Sequence, residues 1–435
     1  MADKLLVVSV DAMHYDDIAI AREMPGFARI LAQASVAEVE GVYPSLTYPN
    51  HAAQITGCPP ATSGVYNNTQ FQPWARRPEW FWDSRLLQVP TIFAAARAGG
   101  LTTAAVQWPV TANEPDVDWL VPEIASPQVF AGLEDQYRQT TNTQSFERYV
   151  LPNISLIHND GRKGRYLDMV DEVSAQILRN ERPDLMFVHL TALDFARHAE
   201  GAHGPHVERA LRRVDAALST FLDILEQTGE RDRTSIAVVS DHGHLDVEQV
   251  TNLNVVLAER GFLRVSPTGE LIDYDAYCLG GGLSGQIFLA DGITPERRAQ
   301  VAQLLAEIEA DPRYRIEKFW TAEQARSDYG LDGPFTWVVE SEPGVTVASA
   351  LTGRPVVVAG DEGVPLKRGS HGHAPRHGGQ PVLIVTGPAF TAGLDLGRRS
   401  MLDQAPTFAA ALGLAMPTAQ GTVMSDALVG SQVRV

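Results

Sequence analysis

KLLVVSVD, residues 4–11, is a short apolar run, rich in valine, that ends on an aspartate. An uninterrupted run of this kind suits a strand covered on both faces, as inside a parallel sheet. PDLMFVHL at 183–190 and TSIAVVS at 234–240 have the same character, and they lead to Asp194 and Asp241. VAEVEGVY at 36–43, LTTAAVQW at 101–108 and PVLIVTG at 381–387 also read as strands. Helix-like segments lie between them, at 17–34 with a Pro-Gly break, 91–100 with a glycine stop, 165–183, 208–229 and 403–414. Alternating strands and helices predict an α/β fold, a large, mostly parallel sheet sandwiched by helices. Ligands of such sheets bind outside the carboxyl ends of the strands. Asp11, Thr47, Asp194 and Asp241 all fall at or just past such ends.

Residues 265–365 break the rhythm. GLSGQIFLA, PERRAQVAQLLAEIEA, FTWVVES and GVTVASA read as a small α+β subdomain. It is inserted into a core made of residues 1–264 and 366–435. A Pro- and aromatic-rich loop, QPWARRPEWFWD, occupies 72–83.

The 435 residues are 44 % apolar and 20 % charged, enough for a sizeable core and no low-complexity tract. A formal net charge of -18 argues against binding nucleic-acid polymers or anionic membranes. It also demands a local reversal of sign, such as metal ions, if the substrate is an anion. Two cysteines, Cys58 and Cys278, make no disulfide framework and no zinc-finger spacing. No apolar run matches a signal peptide or a transmembrane helix, so the expectation is a soluble cytoplasmic protein.

YPSLTYPNHAAQITG, residues 43–57, puts Thr47 at a strand-to-helix turn. Helix capping is one role for a threonine there. Metal-ligand residues elsewhere suggest a second. SDHGH places Asp241 and His242 side by side after a strand, and imidazole with carboxylate suits zinc, manganese or iron. LDFARHAEG spaces Asp194 and His198 four apart, on one face of a helical turn. GSHGHAPRHGG holds His371, His373 and His377. His203 and His206 read as outside the ligand set. Asp11, Asp241, His242, Asp194, His198 and His371 then supply two sets of three ligands, a clamp for in-line displacement at phosphorus. Thr47 becomes the nucleophile, its hydroxyl activated by an ion.

This set resembles the alkaline phosphatase superfamily, and within it the nucleotide pyrophosphatase/phosphodiesterase (type I phosphodiesterase) branch. The resemblance rests on VVSVDAM, TYPNH, TG-x-x-P-x-x-x-G-x-x-x-N at 56–68, Trp80 and Trp108 with their prolines, D-x-x-x-H-x-x-G at 194–201, SDHG at 240–243 and HG at His371. It implies two zinc ions, with manganese as the alternative. Asp11, Thr47, Asp241 and His242 would hold one; Asp194, His198 and His371 the other. It further implies a phosphothreonine intermediate on Thr47, and an oxyanion site from Asn68 and the Thr47 N–H. Tyr48 would stack on a nucleobase. The chain departs from the family pattern at His244, where a methionine is usual. It departs again at His373, which makes HGH of the usual HGY and a rival to His371. No lysine precedes Thr47, and the expectation is a chain without the secretion signal and extra domains of the extracellular enzymes. Cys58-Pro-Pro-Ala-Thr62 resembles a sulfatase motif but has threonine in place of its arginine.

The expected function is a two-metal hydrolase of phosphate diesters acting on a small phosphate ester. Phosphonoacetate hydrolysis would need cations for a carboxylate, against the acidic stretch WPVTANEPDVDW. A phosphomonoesterase would need a positive group, for which Arg76, Arg77 and Arg85 are candidates. A metal-stabilised binding protein is the non-enzymatic alternative.

Overall fold

A computed structural model describes residues 3–124, 130–158, 163–361 and 367–430. An eight-stranded sheet runs through its centre. Numbered within that sheet, its strands are β1 (Lys4–Val10), β2 (Ser35–Glu40), β3 (Thr103–Val106), β4 (Trp119–Val121), β5 (Leu185–Leu190), β6 (Thr234–Val239), β7 (Val382–Thr386) and β8 (Asp395–Ser400). The spatial order is β8-β2-β7-β6-β1-β5-β3-β4. β1 pairs in parallel with β5 on one side and β6 on the other. Only β7 runs against its neighbours, antiparallel to both β2 and β6.

The apolar run that opens the chain fills the middle of this sheet. Leu6, Val8 and Val10 join the core on one face, with helices Lys163–Asn180 and Pro205–Gln227 over them. Leu5 and Val7 point the other way, into a core closed by helices Ile92–Ala98 and Gln404–Ala411. Each of these side chains is buried, worth roughly 1.5–3 kcal/mol apiece. The alternation needs no polar compromise until Ser9, whose hydroxyl finds His51.

A second unit carries an antiparallel sheet of Ala276–Gly280, Ser284–Leu289, Trp337–Ser341 and Ile316–Thr321. Helix Pro295–Ala310 supplies Val301, Leu304, Leu305 and Ile308 to its core. Elements before residue 265 join it as well. Gln249–Asn252 pairs with Val345–Ala348 and Val356–Val358, and Leu253, Val256 and Leu257 pack in the same cluster. That cluster extends to Tyr43, Tyr48 and Trp82, so the unit is packed against the loops at the carboxyl end of the sheet.

Candidate metal centre

Two adjacent strand ends build the first group of ligands. Asp11 follows β1, and Asp241 lies just past β6. The Ala12 N–H donates to Asp241 Oδ1 at 3.1 Å, and His189 Nε2 on β5 lies 3.1 Å from Asp11 Oδ2. One oxygen of each carboxylate is therefore held by protein. The other two, Asp11 Oδ1 and Asp241 Oδ2, are buried and have no hydrogen-bond partner. Both face His242 Nε2, at 3.5 and 3.1 Å. Thr47 Oγ1 lies 3.1 Å from the same nitrogen. Ligands about 2.0–2.2 Å from a tetrahedral ion are about 3.3–3.6 Å from one another, close to the spacing found here.

The second group hangs on a helix and a loop. Asp194 and His198 project from helix Ala192–Glu200, and His371 follows the short strand Gly369–Ser370. His198 Nδ1 donates to the Gly369 carbonyl at 2.8 Å, and His371 Nδ1 to the Ser45 carbonyl at 3.0 Å. Those bonds fix the tautomers and leave both Nε2 atoms as donors of a lone pair. They sit 3.3 and 3.8 Å from Asp194 Oδ1. His244 Nε2 is there too, at 2.9 Å. The loop that carries His371 passes so close to the inserted unit that a Cβ on Gly372 would lie 1.9 Å from the Gly281 carbonyl oxygen. Gly372 also has a φ of 99°, so only glycine fits without strain.

These donors fit divalent cations. Burial and the carboxylates of Asp194 and Glu123 push Asp11 well above the usual carboxylate range. Burial and Asp11 do the same to Asp241. Burial also raises Asp194, but His198, His244 and His371 outweigh it and hold that carboxyl below its usual range. Burial, with His371 beside it, holds His242 well below the usual imidazole range, and burial, with His244 beside it, does the same to His371. Neutral imidazoles and unpartnered carboxylate oxygens converging on shared points are what a cation relieves. His242 and His371 stack face to face, with ring centroids 3.6 Å apart, so the two groups adjoin.

Thr47 is not a helix cap. The cap of helix Thr47–Thr56 is Leu46, with no side-chain bond, and Thr47 is the first helical residue. Its hydroxyl is free of that duty and faces His242. His51, one turn on, donates through Nδ1 to the Thr47 carbonyl at 2.8 Å and accepts from Ser9 Oγ at 2.9 Å. The ring also stacks on His189 at 4.3 Å. Ser9, His51 and His189 thus lock the turn onto β1 and β5. Ser9 and His189 do not stand out in the sequence, whereas His51 is the last residue of TYPNH.

Asn68 Oδ1 accepts the Tyr48 N–H at 2.9 Å, which orients the side chain and leaves its amide hydrogens for a ligand. Asn68, Thr47, Trp80, Tyr166 and Lys367 line a pocket of ≈ 460 Å³ over both groups. Tyr48 does not line it. The expected base-stacking role of Tyr48 is corrected here: the residue is fully buried and meets Trp80 edge-on, so it has no free face. Trp80 is an aromatic at the pocket wall, with Tyr166 and Phe195. His373 is corrected as a rival ligand, because its Nδ1 bonds the Ala374 carbonyl and it joins neither group. Arg76, Arg77 and Arg85 are absent from the described lining, and Arg85 is spent on Asp83. Lys367 is the cation on the wall, its Nζ 3.4 Å from His198 Nε2. His203 and His206 stay outside both groups, as expected; His206 pairs with Glu200.

Several known proteins are similar to this chain. The human ectonucleotide pyrophosphatase/phosphodiesterase family member 1 is 22 % identical over 213 residues, which is 46 % of this chain and 19 % of that protein. Mouse family member 3 is 23 % identical over 216 residues, 47 % of this chain and 20 % of that protein. The match therefore spans about a fifth of the length of these curated relatives. Murine ectonucleotide pyrophosphatase/phosphodiesterase 5, solved in complex with AMP, superposes with a TM-score of 0.68 at 18 % identity, covering 98 % of this chain and all of that one. The human counterpart gives 0.68 at 17 % identity. The fold is thus alkaline phosphatase-like. The family model for type I phosphodiesterase / nucleotide pyrophosphatase matches residues 5–373, from the first strand to the loop of His371, and the chain belongs to that family.

Proposed function

We propose that the chain hydrolyses phosphate diesters or pyrophosphate bonds of nucleotide-like substrates through a covalent phosphothreonine on Thr47. The observation that carries this is the Thr47 hydroxyl, unspent on the helix and 3.1 Å from His242 Nε2 at the floor of the pocket. Asp11, Asp241, His242 and Thr47 would hold one ion, and Asp194, His198 and His371 the other. Zinc is the choice favoured by the mixed imidazole and carboxylate donors. When bound, the two ions would lower the pKa of the hydroxyl and offset phosphoryl charge.

The chain's own residues do the rest. Thr47 Oγ1 releases its proton to solvent and forms a bond to phosphorus while the bond from phosphorus to the leaving oxygen breaks, and the leaving oxygen takes up a proton from water. The leaving group departs from the face opposite the helix start. Asn68 donates its amide hydrogens to a non-bridging oxygen, and the Thr47 N–H, unpaired within its helix as a first-turn amide, would donate to the same oxygen. Water then cleaves the phosphothreonine and restores the hydroxyl. Trp80 offers a flat surface to the second ester arm. A monoester reading gains one observation, since Lys367 stands at the wall near the second group. Parallel assay of a nucleotide p-nitrophenyl ester, p-nitrophenyl phosphate and phosphonoacetate decides between them. The diester is expected to be fastest; a clear monoester or phosphonate preference overturns the reading.

Cytoplasmic action is part of the proposal. Cys58 and Cys278 are both buried and unbridged, as suits a reducing compartment. Among the described residues, no helix is long and apolar enough to cross a membrane. Cell fractionation that recovers the activity outside the cytosol would contradict it.

A further inference from the structure

We propose that His244 is a fourth protein ligand of the second ion, so that this site is closed by three imidazoles and one carboxylate. The inference rests on the two-ion reading above and adds a ligand to it.

The backbone places His244 there before any side chain is considered. Leu245–Asp246 and Gly369–Ser370 form a small antiparallel ribbon, with Ser370 opposite Leu245. The next pair in that register is His371 and His244. The His244 N–H donates to His14 Nε2 at 2.9 Å, which pins the strand end. The ring then lies 4.6 Å from that of His198 and 4.9 Å from that of His371, centroid to centroid. Its Nε2, with the donor atoms of Asp194, His198 and His371, belongs to a set that all lie within 4.8 Å of one another. The three distances from Asp194 Oδ1, 2.9, 3.3 and 3.8 Å, bracket the edge of a tetrahedron around one ion. His244 is buried, so nothing else in solvent competes for it.

A fourth protein donor changes what the second ion is. In the first group the fourth donor is the Thr47 hydroxyl itself, which leaves that site to the reaction. In the second group the protein fills all four positions of a tetrahedral ion, so the site retains its metal and selects a nitrogen-loving one. Zinc or cobalt should be held there much more tightly than manganese.

The test uses the whole protein, stripped with chelator and titrated with Co²⁺ and Zn²⁺. Retained ions are counted by elemental analysis, and cobalt is followed by visible absorption. The wild type is expected to bind two ions, one of them four-coordinate with the intense absorption of tetrahedral cobalt. His244→Ala should keep the first ion and weaken the second at least about 100-fold, beyond the 10–100-fold typical of losing a residue that merely supports a ligand. His244→Cys should restore the second ion and add a thiolate-to-cobalt charge-transfer band, a signal that only direct ligation produces. Far-UV circular dichroism of the stripped variants checks the fold. Two ions in His244→Cys without that band overturn the proposal. So does His244→Gln with wild-type affinity, since an amide can still bond Asp194 but is a poor ligand. A wild type that binds no ion overturns the two-ion reading as well, whereas two ions in the wild type with no change in the variants overturn only the role of His244.

Discussion

The two ligand groups lie side by side yet are built on different principles. The first is part of the sheet. Its side chains are Asp11, Asp241 and His242, with 5, 0 and 0 % of their surface exposed, and they stand just past the central strands. The second is part of the connections. Asp194, His198 and His371 are 11, 17 and 9 % exposed and come from a helix and a loop. Strand ends are positioned by the whole core, so the first group is preorganised. Its cost is two buried carboxylates facing each other. The second group offsets its single carboxylate with histidines, but its geometry depends on the inserted unit. Gly372 packs on Gly281, Ser284 Oγ donates to the Gly372 carbonyl at 2.6 Å, and the Leu283 N–H donates to the His371 carbonyl at 2.8 Å. A sheet-borne site and a strapped-on site should therefore fail in different ways.

The largest failure is expected at Thr47, the first-group residue proposed as the nucleophile. Thr47→Ala should lower kcat by about 10³-fold or more while both ions stay bound. Steady-state rates with metal counting check it; near-normal turnover would return Thr47 to a structural role. Thr47→Ser should retain part of the rate, because the hydroxyl survives.

Removing a ligand from each group sharpens the contrast. Asp241→Asn should lose the first ion, yet the stripped protein should melt higher than the stripped wild type. One of two opposed buried carboxylates is gone, and the amide oxygen can still accept the Ala12 N–H. His371→Ala should lose the second ion and also melt lower when stripped, because it empties a packed site where the ring stacks on His242. Differential scanning calorimetry of the four stripped and loaded forms measures both signs. Equal shifts would mean that the two groups share one mechanical character.

The same difference explains what was legible in the sequence. Asp11 and Asp241 were readable because a valine-rich run must stop where the sheet stops, and the residues just past it face the site, whereas Asp194 was readable from its i,i+4 spacing with His198. Most strands and helices followed from periodicity for that reason. β8, with the sequence DLGRRS, was not read, because an edge strand with charged side chains lacks the buried pattern. The pairing of Gln249–Asn252 with the inserted unit was equally hidden, since a four-residue polar strand carries no periodic signal. Among site residues, His189 looked like one more position in a buried strand. Its contact with Asp11 arises from the β1–β5 register alone. His244 was seen as an anomaly beside a ligand, and only the ribbon with Gly369–Ser370 turns it toward Asp194. Tyr48 was misjudged for a related reason: its burial depends on Trp80 folding back from a loop more than thirty residues away.

A pH measurement can probe the strap that holds the second group. Glu340, on strand Trp337–Ser341, accepts the Tyr43 hydroxyl at 2.8 Å and the Ala374 N–H at 2.7 Å, tying the inserted unit to the loop of His371. Burial pushes its carboxyl up to about 8, against 4.5 for a free glutamate. A raised carboxyl means that the folded chain keeps a proton the unfolded chain has lost. Its contribution is complete below about pH 4.5 and fades as pH rises toward 8. Glu340→Gln, neutral at every pH, should match the wild type near pH 5 and be more stable near pH 8.5, by on the order of a few kcal/mol. Denaturant melts at the two pH values read the difference. An unchanged gap would show that the carboxylate is already charged in the fold and balanced by its two donors.

The smallest effect is expected on the substrate side, where the enclosed and open halves of the centre meet in two aromatic rings. Tyr48 is sealed behind the turn that carries Thr47, and Trp80 closes it off at 5.3 Å while lining the pocket. If Trp80 receives the second ester arm, Trp80→Ala should cost nucleotide esters about 1–3 kcal/mol in kcat/KM relative to methyl esters, the scale of base–aromatic stacking. The loss should fall mainly on KM, since the arm is held before and during the reaction alike. Tyr48→Phe should move neither substrate, because a ring with no exposed face cannot tell one arm from another. Equal losses on both esters in Trp80→Ala would mean that Trp80 only braces Tyr48 and the helix start. The surface for the arm would then have to be sought at Tyr166 or Phe195, the other aromatic residues of the same wall.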